Sequence, residues 1–293
     1  MSRGGPAPVL VVATTSGPAS EHDVCPLCAD HGDVVECATV LGRHEGTLIR
    51  CVRCRTCWFR RPGWLAEAYE TTLTSGDIGL ISRNTFVLKA IVLYLRLCRP
   101  GFREPILDFG AGTGILVRSL RDAGYDARYF DHYGGNHFAK GHEATLRDSY
   151  GLATAVEVME HVVELEKTLH ELLSWSTELL FTTTLIDPDT PALNAWPYYG
   201  LDHGQHVLFM TRQGLERYAR SRGMWFATSG ELHLLTPSRR RARLFVAAMG
   251  IHALRVRLRF RSRRSLLWTD VAAHAQSRAT ATGVDSPAAV SVP

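Results

Sequence analysis

From about residue 105 the apolar positions fall into two alternating rhythms. Short, nearly continuous apolar runs at 105–109, 127–131, 152–157 and 178–184 read as buried strands, while 114–123 and 162–173 carry apolar residues at helical spacing. Strand and helix patterns taking turns predict an α/β fold, a parallel sheet with helices on both faces. Ligands of such sheets sit beyond the carboxyl ends of the strands. Upstream, 82–97 has a dense apolar face (Phe86, Val87, Ile91, Val92, Leu95) and predicts a helix ending at Arg99-Pro100. Residues 62–70 read as a shorter helical segment that 71–77 break. Downstream, 211–222 reads as a helix, and Trp225–Thr236 and Arg243–Met249 read as the last strands. Between Asp131 and Glu157 only a thin strand candidate remains, around 136–145.

Candidate chemistry gathers first between the first strand and its helix, at Leu107-Asp108-Phe109-Gly110-Ala111-Gly112-Thr113-Gly114. Strand, glycine turn and helix bring backbone N–H groups and a helix N-terminus close to a ligand. The dinucleotide fingerprint G-x-G-x-x-G needs a third glycine at 115, where Ile115 stands. The acid two residues before the first glycine, Asp108, suits a ligand with a positive charge better than a pyrophosphate. A second acid, Asp131, ends the next apolar run where a ribose-binding carboxylate is expected. A cationic ligand carrying a ribose is S-adenosylmethionine; the alternative is a structural glycine turn in some other α/β enzyme.

Asp108 to Gly114, Asp131 and Glu157-Val158-Met159-Glu160-His161 resemble the class I S-adenosylmethionine-dependent methyltransferases, which have a Rossmann-like sheet. More narrowly, from about Cys25 to Pro237 the chain resembles a bacterial branch with an N-terminal zinc ribbon. That branch is typified by sugar C-methyltransferases and by methyltransferases of polysaccharide and secondary-metabolite pathways. The resemblance implies that Asp108, Gly110, Ala111, Gly112, Gly114, Asp131 and Glu157 hold the donor, Glu157 near its methionine moiety. It implies that helix 82–97 covers the donor and that Tyr69 approaches it; Tyr69 equally suits a packing role. His161 would face the acceptor, and an imidazole with a pKa near 6.5 can take a proton at neutral pH. The alternative is that Glu160 and His161 only orient the following helix.

Cys25-x2-Cys28 and Cys51-x2-Cys54, separated by 22 residues, have the spacing of a four-cysteine zinc ribbon, and Val34–Val40 and Thr47–Arg50 can pair as its strands. Cys54-x2-Cys57 is a competing knuckle; placing Pro62 and Trp64 in the resembling family's register favours Cys51 with Cys54. Cys37 and Cys98 read as small buried residues. Seven cysteines among 293 residues, in paired knuckles, point to metal and a reducing compartment, so the expected location is cytoplasmic. Val9–Ala13 is too short for a signal-peptide core, and no apolar run reaches the ~20 residues of a membrane span.

After the 178–184 strand comes a long loop with Asp187–Pro191, Trp196-Pro197-Tyr198-Tyr199 and His203-Gly204-Gln205-His206. Aromatic faces beside His and Gln donors suit a sugar ring, so the expected acceptor is a small molecule, a sugar or nucleotide-linked sugar. His206 is a second candidate base and Tyr199 a third; the alternative is a structural lid. The formal net charge of +4 is mild. Arg239-Arg240-Arg241 and the alternating Arg255, Arg257, Arg259 and Arg261 suit either a phosphate-bearing acceptor or a solvated strand or helix face. The expected layout is a disordered tail (1–23), zinc ribbon (24–62), helical linker over the cofactor (63–100), methyltransferase domain (101–250) and a basic extension with a loose tail (251–293). Competing readings are an RNA or protein methyltransferase gripping a polymer, and a non-catalytic zinc-ribbon module. Mixed charges near the knuckles disfavour the first, and the intact Asp108, glycines and Asp131 disfavour the second.

Overall fold

The computed structural model describes residues 23–70, 77–145, 148–186 and 192–259; side chains are described up to residue 253. The readings of the N-terminal tail, the 71–76 break, Asp187–Pro191, Arg261 and the C-terminal tail lie outside the described residues, as do the side chains of Arg255, Arg257 and Arg259. Strands β1 (Gly32–Val40), β2 (His44–Cys51) and β3 (Cys57–Phe59) follow the first knuckle. Then come a single helical turn α1 (Leu65–Ala68) and the long helix α2 (Leu80–Cys98). The central unit runs β4 (Ile106–Phe109), α3 (Ile115–Asp122), β5 (Ala127–Phe130), β6 (Leu152–Val156), α4 (Leu165–Trp175) and β7 (Leu179–Thr182). It closes with β8 (Leu208–Phe209), α5 (Arg212–Ser221), the hairpin β9 (Trp225–Ser229) and β10 (Leu232–Thr236), and α6 (Arg239–Arg259).

The main sheet has the order β5-β4-β6-β7-β10-β9. β5, β4, β6 and β7 are parallel, as the alternating pattern predicts, but β10 runs antiparallel to β7 and β9 antiparallel to β10. The fully parallel sheet is therefore corrected to a mixed one: a tight turn through Gly230 (φ +62) connects β9 to β10 as a hairpin, which must be antiparallel. Successive strand residues face opposite layers. Ile106, Leu152, Leu180 and Leu234 pack with α2, α3 and α6, whereas Leu107, Ala153, Leu179 and Leu235 pack with α4 and α5. Burial on both faces explains why these strands read as continuous apolar runs.

Two further sequence readings change. Residues 243–249 are helical, inside α6, and its buried positions Ala242, Phe245, Ala248, Met249 and His252 have helical spacing. The same helix continues through residue 251, where a basic extension was expected to begin. The 62–70 helix shrinks to one turn, and between Asp131 and Glu157 the 136–145 candidate makes a single parallel bridge, Tyr129 with Glu143.

The N-terminal strands are not a detached appendage. Their sheet has the order β1-β2-β3-β8, so its fourth strand comes from beyond residue 200. Cys25, Leu27, Cys51 and Cys54 share a buried cluster with Leu165, Leu169 and Leu215 of α4 and α5. No helix among the described residues is long and apolar enough to cross a membrane.

Candidate active site

The strand order reverses direction at β4, which lies between β5 and β6. The crevice beyond the carboxyl ends of these strands is where such sheets bind ligands. It receives Asp108 of β4 and the residues that follow the ends of β4, β5 and β6, which are Gly110, Asp131 and Glu157. Gly110, Gly112 and Gly114 all have positive φ (+70, +53 and +84). A Cβ on Gly110 would lie 2.4 Å from Val158 Cγ2, so that glycine is needed for packing. A Cβ on Gly112 would meet nothing within 4 Å, so there the missing side chain leaves an open cradle. Ala111 keeps the turn attached to the sheet by donating its N–H, like Gly110, to the Phe130 carbonyl (3.1 and 2.9 Å).

Asp108 is buried (2 % exposed) and accepts a hydrogen bond from Thr154 Oγ1 at 2.7 Å. Burial pushes its carboxyl up to about 7, with Asp131 adding to the rise. A carboxyl that loses its charge for want of a counter-charge suits a site that takes a cation. Asp131 accepts the Gly112 N–H at 2.7 Å on one oxygen and the Tyr133 and Gly134 N–H groups at 2.7 and 2.5 Å on the other. Of roughly four lone-pair positions on the carboxylate, this arrangement leaves one for a ligand hydroxyl. Tyr69 stacks on Tyr133 with ring centroids 5.1 Å apart and lies edge-on to His161 at 6.3 Å. It therefore stands between the glycine turn and the imidazoles.

Glu157 has φ +55, a left-handed conformation rare for a residue with a side chain. Thr182 holds it there: its Oγ1 accepts the Glu157 N–H (2.9 Å) and donates to Oε1 (2.8 Å). Arg83 of α2 lies 3.8 Å from Oε2. The sharp bend aims the next turn, Met159–His161, so that Glu160 and His161 meet His206 from the long loop. One ligand-type atom from each lies within 4.8 Å of the others. His161 Nδ1 is 3.1 Å from the Gln205 carbonyl, and His206 Nδ1 is 2.5 Å from the Tyr198 carbonyl. Burial holds both imidazoles neutral, pulling His161 down to about 3 and His206 to about 4. It pushes Glu160 up to about 8, with the neighbouring Glu157 adding to the rise.

This geometry has a family counterpart. Residues 87–224 match the family model described as a methyltransferase domain. Those residues form a methyltransferase domain. No curated protein matches the chain. Among solved structures, magnesium protoporphyrin IX methyltransferase from Synechocystis with bound S-adenosylhomocysteine is similar at 16 % identity, over 59 % of this chain and 91 % of that one, with a TM-score of 0.41. Human N-acetylserotonin methyltransferase in complex with S-adenosylmethionine is similar at 16 % identity, over 60 % and 56 %, with a TM-score of 0.41. A carbon methyltransferase is similar at 14 % identity, over 59 % and 58 %, with a TM-score of 0.37.

Around the methyltransferase domain the remaining sequence candidates separate. Tyr199 packs against Phe209 and Trp196 in the core, 1 % exposed, away from the imidazoles. Its neighbour Tyr198 occupies the place expected of it, 4.8 Å from His206 by ring centroid and with its hydroxyl 3.4 Å from Glu160 Oε1. A 3-10 turn at Pro197–Tyr199 turns adjacent side chains to different sides, which an unstructured-loop reading could not assign. Glu160 and Tyr133 were not among the sequence candidates. The first stood inside the quoted motif, and the second had no signal beyond being an aromatic near Asp131.

The four cysteines of the first two knuckles come together, with Sγ–Sγ distances of 3.5 Å for Cys25–Cys54 and 3.4 Å for Cys28–Cys51. All four sulfurs lie within 4.8 Å of one another. The N–H groups of Leu27 and Cys54 point to the sulfurs of Cys25 and Cys51. Cys57 faces elsewhere, its sulfur 3.3 Å from Arg50 Nε. Between the two overlapping knuckles, the geometry selects Cys51 and Cys54.

Proposed function

We propose that this chain transfers a methyl group from S-adenosylmethionine to a small polar acceptor, a sugar or nucleotide-linked sugar, and that the four-cysteine cluster holds structural zinc. The observation that carries the acceptor reading is the juxtaposition of Glu160, His161 and His206 with Tyr69, Tyr198 and Trp196, next to the glycine turn. Aromatic faces fit the apolar faces of a sugar ring, and imidazoles fit its hydroxyls. When bound, S-adenosylmethionine supplies a methyl group already activated on a sulfonium.

The chain's own work is then to hold, align and accept a proton. Asp108 and Glu157 favour the cationic part of the donor, and Asp131 takes a ribose hydroxyl. Gly112 admits the close approach, and Tyr69 closes the cradle from the linker side. Much of the rate advantage comes from alignment. Because both Nδ1 atoms face carbonyls, which only accept, the proton of each neutral imidazole sits on Nδ1. The Nε2 lone pairs of His161 and His206 are thus the groups available to take an acceptor proton. The cluster of four thiols matches zinc, which prefers four thiolates in a tetrahedron.

The test is calorimetry with S-adenosylhomocysteine, followed by a screen of nucleotide sugars with methyl-labelled donor. Wild type should bind the product and methylate at least one sugar. His161→Ala should keep product binding and lose about 100-fold or more in turnover. A folded protein that binds no S-adenosylhomocysteine would refute the donor reading, and label entering RNA or protein instead would refute the acceptor reading.

A further inference from the structure

Two imidazoles and a buried carboxylate converge at the acceptor-facing cluster, one ligand-type atom of each within 4.8 Å of the others. The Nδ1 contacts of His161 and His206 to carbonyls put each ring's free lone pair on Nε2. The third acceptor is Glu160, which is 0 % exposed and whose Oε2 is buried with no hydrogen-bond partner. Its other oxygen takes a long contact from the Tyr198 hydroxyl, 3.4 Å, with Thr183 also near the carboxylate. An unpartnered buried carboxylate oxygen costs about 1–3 kcal/mol or more. A single proton on Glu160 answers the charge but supplies one donor to three acceptors. A cation answers all three.

We propose that Glu160, His161 and His206 bind a divalent first-row transition ion, distinct from the metal of the cysteine cluster. Two imidazoles and one carboxylate on one side of an ion, with positions left open, suit zinc, manganese, iron or cobalt better than magnesium or calcium. The carbonyls of Gln205 and Tyr198 fulfil the usual outer role for such ligands, fixing each ring by its other nitrogen. The open positions face Tyr69 and Tyr198, where the acceptor is placed above, so the inference rests on that reading and narrows it. The acceptor presents a pair of oxygens, such as vicinal hydroxyls, and coordination makes a hydroxyl there more acidic. In the ion-loaded protein His161 and His206 would be ligands, so the acidified hydroxyl would pass its proton to solvent water instead of to Nε2.

The experiment uses the full chain with zinc already in the cysteine cluster. Cobalt(II) is added, excess ion is removed by gel filtration, and metal content and the visible spectrum are recorded. Wild type should retain one cobalt per chain beside its zinc, with a spectrum lacking thiolate-to-cobalt charge transfer. His206→Ala should lose that cobalt while keeping its zinc and its S-adenosylhomocysteine binding; Glu160→Gln, of the same shape, should weaken cobalt retention. No cobalt on the zinc-loaded wild type, or undiminished cobalt on His206→Ala, would overturn the ion site. Calorimetry on the same samples keeps the two ideas apart: product binding without cobalt sinks only the ion site, and cobalt without product binding sinks only the donor reading.

Discussion

Asp108→Asn should stabilise the ligand-free protein at pH 8 while weakening its hold on the donor. Asp108 is buried under the glycine turn with a single neutral donor, Thr154, and burial raises its pKa from 3.8 to about 7. In the unfolded chain the carboxyl ionises near its ordinary value, so between about pH 4 and 7 the folded state holds a proton that the unfolded state has lost. Stability from this group is therefore complete below about pH 4 and falls as pH rises through about 7. At about 1.4 kcal/mol per pH unit, the ionised carboxyl costs the fold about 4 kcal/mol at pH 8. Asparagine keeps the shape and an acceptor for Thr154 without the charge. Denaturant unfolding of both proteins at pH 5 and pH 8 should show the variant's advantage widening by about 3 kcal/mol. Comparing the two isolates this carboxyl from buried histidines, whose pH dependence runs the other way. S-adenosylhomocysteine affinity should drop by about 10- to 100-fold, the worth of one charged hydrogen bond, and in wild type it should tighten as pH rises through about 7. A variant less stable than wild type at pH 8, or an advantage independent of pH, would refute the reasoning.

The glycine turn separates packing from binding. Gly112→Ala should cost about 1–2 kcal/mol for its left-handed backbone yet still fold and lose product binding, whereas Gly110→Ala should also lower the melting temperature sharply through its clash with Val158. In the cysteine cluster, Cys54→Ser should abolish zinc retention measured by metal analysis, while Cys57→Ser should leave it intact. His233 is buried between Thr228 and the Thr183 carbonyl and is held neutral, its pKa pulled down to about 4 by burial. Its contribution is present above about pH 6.5 and fades as pH falls towards 4. His233→Gln should therefore flatten the acid side of the stability curve by up to about 3 kcal/mol, and an unchanged acid limb would contradict this.

Much of this was legible in the chain because the signals were local. Strands β4 to β7 announce themselves by runs buried on both faces, and the Asp108–Gly114 turn by residue types that few backbones require. The cysteine spacing found the cluster, though only geometry chose Cys54 over Cys57. The failures share a different cause. Arg243–Met249 is short and apolar enough to pass for a strand, and its helical period shows only once Ala242 and His252 are counted with it. Tyr198 and Tyr199 are neighbours whose fates depend on a 3-10 turn within a long loop, which no periodicity encodes. Glu160 was visible as a letter, but its missing partner is a property of three segments folded together.

The short strand β8 has a consequence for how the molecule responds as a whole. Val207 accepts the N–H of Phe59, five residues beyond Cys54 of the second knuckle, and donates its own N–H to the Glu160 carbonyl at 2.8 Å. Thr211 reaches back to the Cys54 carbonyl, and Trp64 Nε1 to the Gly204 carbonyl. Cysteine cluster, acceptor loop and Glu160 turn thus form one hydrogen-bonded piece. If the thiols hold the proposed ion and His206 meets the proposed acceptor, reciprocity requires that whatever tightens one hold tighten the other. On that reading, removing the ion would lower turnover through His206.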